Sequence, residues 1–73
     1  MPKAPVLKPR EVARILLKLG FVEVRQRGSH RQFRHLDGRC TTVSDHGEDI
    51  RPPMLQQIAK DIGMTWQEFI RDQ

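Results

Sequence analysis

The chain has a single cysteine, Cys40, and a lone cysteine cannot close a disulfide of its own. That excludes a bridge-stapled secreted mini-domain and points to a reducing cytoplasm. Apolar runs never exceed three residues, so neither a membrane span nor the apolar stretch of a signal peptide is expected. There is no internal repeat and no low-complexity tract. At 73 residues there is too little chain for a large enzyme scaffold, and one small domain hiding about 60% of its unfolded surface is expected. Acid is scarce in one place. Between residues 25 and 39 stand Arg25, Arg27, Arg31, Arg34 and Arg39 against Asp37 alone, and elsewhere the two signs balance, so this stretch carries the whole net charge of +4. So focused a basic patch attracts a polyanion, with nucleic acid the leading candidate, and arginine's planar fork suits phosphate.

What remains is the composition of a folded domain, with 37% hydrophobic and 30% charged residues. Residues 1–8, with Pro2 and Pro5, read as a loose lead-in to a single domain over residues 9–73. Val12, Ile15, Leu16 and Leu19 share one helical face, with Pro9 suited to the first helical position and Gly20 to the left-handed stop. Phe21 to Arg27 alternates as a half-buried strand, with Val22 and Val24 on one face and Glu23, Arg25 and Arg27 on the other; a tight turn at Gly28-Ser29 follows, and His30 to His35 returns. A two-residue turn pairs Arg27 with His30 and sets Val24 opposite Phe33, both facing inward. Leu36-Asp37-Gly38, as a three-residue loop with Gly38 left-handed, pairs Phe33 with Thr41 and Arg31 with Val43 in a third strand, Arg39 to Ser44.

After a loop over residues 45–51, Leu55, Ile58, Ala59 and Ile62 predict a second helix ended by Gly63. Thr65 and Glu68 form a capping box for a third helix running to Gln73, which turns Trp66, Phe69 and Ile70 toward the core. The fold class is α+β, in the order α-β-β-β-α-α, a three-stranded antiparallel meander with helices on one face.

The outward face then reads Glu23, Arg25 and Arg27 on the first strand, His30, Gln32 and Arg34 on the second, and Cys40, Thr42 and Ser44 on the third. It is basic and centred on His30, which the Gly28-Ser29 turn delivers to the start of a strand. Histidine exchanges protons near neutrality, so His30 is a candidate general acid or base. A metal site is not expected: His30, His35, Cys40 and His46 match no ligand spacing, and His30 and His35 point to opposite faces. Ser29 and His30, adjacent in an extended segment, diverge too far for nucleophilic chemistry. A DNA-reading helix-turn-helix at residues 58–69 is disfavoured by the net negative third helix.

The ordered set of Leu19-Gly20-Phe21, Gly28-Ser29-His30 with Phe33, Asp37-Gly38-Arg39, His46-Gly47 and the Leu55 to Phe69 segment resembles the HicA family of toxin ribonucleases, over about residues 8–73. Ser44 stands where these proteins often have proline, and Pro52-Pro53 replaces a common Gly-Thr. The resemblance implies a reduced double-stranded-RNA-binding fold and mRNA cleavage without metal or other cofactor. It also implies a catalytic histidine at His30 and neutralisation by a HicB-like antitoxin. Arg25, Arg27, Gln32, Arg34 and Ser44 are then the expected RNA contacts. The proton donor to the leaving oxygen is open, with His46 the candidate if its loop folds back. The rival reading is a non-catalytic RNA-binding module using the same basic face.

Overall fold

Pro9 has no N–H to leave unpaired in a first helical turn, and it opens α1, Pro9–Lys18. Glu11 reaches back to accept the Lys8 backbone N–H at 2.9 Å. Gly20, at φ +94°, turns the chain out of the helix. Three strands follow, β1 (Val22–Arg27), β2 (His30–Arg34) and β3 (Cys40–Ser44), in one antiparallel sheet of order β1-β2-β3. α2 (Pro52–Asp61) and α3 (Trp66–Ile70) complete the chain, so the expected α+β order is observed. The computed structural model describes residues 3–71. Asp72 and Gln73, expected at the end of the third helix, and Pro2 of the lead-in lie outside the described residues.

α1 and α2 both lie against β3, and the core between helices and sheet is built on Phe21, Phe33, Phe69, Leu16, Ile58 and Ile62, each essentially inaccessible. Thr65 caps α3 as expected: its hydroxyl accepts the Glu68 N–H at 3.2 Å and the Glu68 carboxylate accepts the Thr65 N–H at 3.0 Å. The Thr65 N–H, with the Thr65 hydroxyl donating to the same carboxylate oxygen at 3.1 Å, holds the Glu68 carboxyl below the ordinary carboxylate range. Among the described residues no helix is long and apolar enough to cross a membrane.

The lead-in is not loose up to Pro9. Ala4 and Leu7 are buried in the core. Leu7 also bridges Ile50 through two backbone hydrogen bonds of 3.1 and 2.6 Å, which pins the chain ahead of α1 to the loop ahead of α2.

Both turns take the expected form. Arg27 pairs with His30 across Gly28-Ser29, with Gly28 at φ +59°. Phe33 pairs with Thr41 and Arg31 with Val43 across a three-residue loop in which Gly38 has φ +97°.

The register expected for Val24 is not observed. Glu23, not Val24, stands opposite Phe33, and the pairing shifts between Glu23 and Arg25. The cause is parity. Phe21 is buried, and six residues on, a regular strand would bring Arg27 to the same inner face. The tight turn instead requires Arg27 beside outward His30. One extra residue reconciles the two ends, and Val24 is that residue, a β-bulge.

Val22 and Val24 are consequently 57% and 54% exposed, and Glu23 leaves the outer face. Its carboxylate accepts two hydrogen bonds from the Arg31 guanidinium, at 2.8 and 3.0 Å, from the diagonal position of the neighbouring strand. Arg31 also covers the Phe33 ring, 5.5 Å from its centroid, and lies 3.6 Å from Asp45. The Arg31 hydrogen bonds hold the Glu23 carboxyl below its usual range, and Glu23 in turn raises Arg31.

The bulge makes Val24 dispensable for stability and Phe33 indispensable. Val24→Ser should change the unfolding free energy by less than about 0.5 kcal/mol, whereas Phe33→Ala should cost about 3–5 kcal/mol. Urea titration of the two variants measures both. A loss above about 1.5 kcal/mol from Val24→Ser would return that side chain to the core.

Candidate nucleic-acid interface and histidine pair

The pairings align the outer face of the sheet in three rows. Arg27, His30 and Ser44 form the first, Arg25, Gln32 and Thr42 the second, and Val22, Arg34 and Cys40 the third. Every residue expected on this face is therefore there except Glu23, and its departure leaves a sheet face with no acid among the described residues. The expected contacts Arg25, Arg27, Gln32 and Arg34 are exposed, and Ser44 is half-buried.

Charge is sorted by function within the same stretch. Arg31 is held by Glu23 and Asp45. Arg39 donates to Asp37 at 2.8 Å and to the Ile62 carbonyl at 2.7 Å, and lies over the Phe21 ring at 5.2 Å. It thus ties the β2–β3 loop to the end of α2. The bond that Asp37 accepts from the Arg39 backbone N–H, together with the guanidinium, lowers the Asp37 carboxyl. Of the five arginines between residues 25 and 39, only Arg25, Arg27 and Arg34 have no ion-pair partner among the described residues. All three point to the acid-free face. Unpaired guanidinium groups retain their full donor capacity for phosphate oxygens.

His46 comes to this face from the loop after β3. The Asp45 N–H donates to the Ser29 carbonyl at 2.6 Å, fastening the loop to the β1–β2 turn, and Gly47 at φ +82° bends the chain away. The His46 ring then lies edge-on to His30, with centroids 5.9 Å apart and an interplanar angle of 81°. Its Nε2 is 3.4 Å from the Ser29 hydroxyl. The loop does fold back, so two exposed histidines stand together, His30 being the cross-strand partner of Arg27. Gly28 and Ser29 are both the turn and the anchor of this arrangement.

His35 stays out of it. Its ring packs edge-on against Phe21, centroids 5.1 Å apart, and its Nδ1 accepts the Asp37 N–H at 3.1 Å. α3, disfavoured as a recognition helix by its net negative charge, spans only Trp66–Ile70 and buries Phe69.

Sequence reasoning missed the exposure of Val22 and Val24, although buried Phe21 next to Gly20 was the available signal. It also missed the fully exposed Leu36 beside them.

A family model described as the HicA toxin of bacterial toxin–antitoxin systems matches residues 9–64. No curated protein matches the chain.

Because His30 and His46 are exposed, His30→Ala and His46→Ala should each shift unfolding by less than about 0.5 kcal/mol. Gly28→Ala should cost about 1 kcal/mol or more, since φ +59° is unfavourable for a residue with a Cβ. Thermal melts of the three variants test this, and a marked drop for His30→Ala would make that side chain structural.

Proposed function

The chain belongs to the HicA family of toxins of bacterial toxin–antitoxin systems, and from that premise we propose that it is a metal-independent endoribonuclease working through His30 and His46. The observation that carries this reading is the pairing of two imidazoles, 5.9 Å apart, on a face where three arginines have no ion-pair partner among the described residues. RNA contains its own nucleophile. A histidine that removes the 2′-hydroxyl proton lets that oxygen attack the adjacent phosphorus, and the bond from phosphorus to the 5′-oxygen breaks. A second histidine, protonated, delivers a proton to that leaving oxygen. The products are a 2′,3′-cyclic phosphate and a 5′-hydroxyl, and no metal is required to balance the step.

In this mechanism His30 is the base. Its place at the start of β2, between Arg27 and Ser44, sets it in the middle of the phosphate-binding row. His46 is the acid, oriented through Ser29. Arg27 lies across from His30 and stabilises the charge that builds on the phosphoryl oxygens. Arg25 and Arg34, with Gln32 and Ser44, hold the neighbouring backbone.

Purified protein incubated with RNA in EDTA should leave cyclic-phosphate ends, and His30→Ala should abolish cleavage while retaining RNA affinity. Activity should follow a bell-shaped pH profile, because one imidazole must be neutral and the other charged, and His46→Ala should flatten one limb. Cleavage that vanishes in EDTA, or that survives His30→Ala, overturns this reading. Undiminished binding without any cleavage by the parent protein would identify a non-catalytic RNA-binding module.

The partner antitoxin, HicB-like by family, is proposed to place carboxylates over the same face, covering His30 and the arginines together. Truncating one side of a desolvated charge pair commonly costs a few kcal/mol, on the order of 2–5. Arg25→Glu with Arg34→Glu should therefore weaken antitoxin and RNA binding in parallel, read by co-purification and by filter binding. Unchanged co-purification would move the antitoxin to another surface.

A further inference from the structure

The bulge leaves an apolar feature that the phosphate chemistry does not use. Val22 and Val24 are 57% and 54% exposed and Leu36 is fully exposed. Single exposed aliphatics are ordinary, but these three bound one shallow cavity of about 480 Å³ together with Gly20, Arg34 and His35.

Gly20 lacks the Cβ that would come within 3.1 Å of the His35 Nε2, so the cavity stays open at that corner. Its lining joins flat aliphatic surface to two groups with polar edges, the Arg34 guanidinium and the His35 imidazole. No acid lines it.

We propose that this cavity is a subsite for an unpaired nucleobase of the RNA whose phosphates lie along Arg25, Arg27 and Arg34. The inference rests on the RNA reading above and adds to it where a base is held and that the bound strand is single. Arg34 joins the two surfaces. It lines this cavity and also the adjoining one, where Gln32, Cys40 and Thr42 of the outer face meet Gln57 and Asp61 of α2, so the apolar corner continues onto the outer face of the sheet.

The corner lies four residues along β2 from His30, roughly 13 Å, outside the histidine pair but within reach of the same strand. A base has apolar faces and polar edges, and it needs a site offering both. Nucleobases are held on single strands by stacking against apolar side chains and guanidinium planes. No phenylalanine is on the outer face to serve instead, since Phe21, Phe33 and Phe69 are buried, and the two imidazoles there, His30 and His46, are assigned to the cleavage step. A base paired in a duplex has its faces stacked on neighbours and could not enter. A protein partner is less well matched, since three aliphatic side chains around one cavity fall far short of the roughly 800 Å² per side of a stable protein interface.

The test separates bases from phosphates. Two single-stranded oligonucleotides of equal length and charge are compared, a 2′-O-methyl oligoadenylate and an abasic 2′-O-methyl backbone. Neither can be cleaved, because neither has a free 2′-hydroxyl. The parent protein should bind the adenylate roughly tenfold more tightly than the abasic strand. Val24→Ser combined with Leu36→Ser, both at exposed positions, should bring that ratio close to one with unchanged affinity for the abasic strand and an unchanged melting temperature.

A ratio that survives in the double variant overturns the subsite, as does a parent protein with no preference for bases. If either result accompanies normal RNA cleavage, the ribonuclease reading stands and only the subsite falls. If the parent binds neither oligonucleotide, both fall. Loss of antitoxin capture by the double variant with RNA binding intact would assign the cavity to a protein and overturn the proposal.

Discussion

The outer face of this protein depends on a conflict of strand parity at the two ends of β1. At one end Phe21 is driven into the core by its apolar area. At the other, a glycine-led two-residue turn sets Arg27 beside His30. An uninterrupted two-residue period cannot satisfy both, because the two positions are an even number of residues apart. The bulge at Val24 absorbs the difference. Which charges β1 adds to the outer face, and the exposure of Val22 and Val24 there, follow from that one inserted residue.

The electrostatic consequence is a separation of roles among chemically identical side chains. Glu23, moved to the helix-side face, takes Arg31 as its partner, and the pair closes over the Phe33 ring. Arg39 is consumed by Asp37, by the Ile62 carbonyl and by Phe21. Two of the five arginines in the basic segment therefore stabilise the fold. Arg25, Arg27 and Arg34 have no ion-pair partner among the described residues and stand on a sheet face that itself carries no acid, with Asp61 of α2 lining the cavity beside Arg34. A patch that sequence counting treats as uniform is thus two structural arginines and three available ones. Such an acid-free sheet face suits a polyanion, whose binding gains from each guanidinium that has no internal partner.

The histidine pair has a different origin. His30 is delivered by local chemistry, since Gly28 permits the turn and β2 begins immediately after it. His46 is delivered by a contact between distant segments, the Asp45 N–H on the Ser29 carbonyl, with the Ser29 hydroxyl beside its ring. Ser29 therefore links the turn that orients one imidazole to the loop that carries the other. That link accounts for the compactness of the pair.

The sequence by itself determined the elements and most of the pairing. Helical spacing in residues 9–19 and 52–62, the Thr65–Glu68 capping box, and glycines at positions that need φ > 0 are all local signals. Each sets backbone conformation within a few residues. They were enough to establish the α-β-β-β-α-α order, both hairpin turns and the outward place of His30, Gln32 and Arg34. Only the tertiary structure decided the rest. Val22 and Val24 looked inward by alternation, but whether a hydrophobe reaches the core depends on which neighbour occupies it, and Phe21 does. The burial of Ala4 and Leu7 depends on a bridge to Ile50, and the approach of His46 to His30 depends on a loop closing onto a turn 17 positions away. Contacts between segments so far apart leave no periodic trace in the chain, because they are selected by packing and hydrogen-bond satisfaction after the local elements have formed.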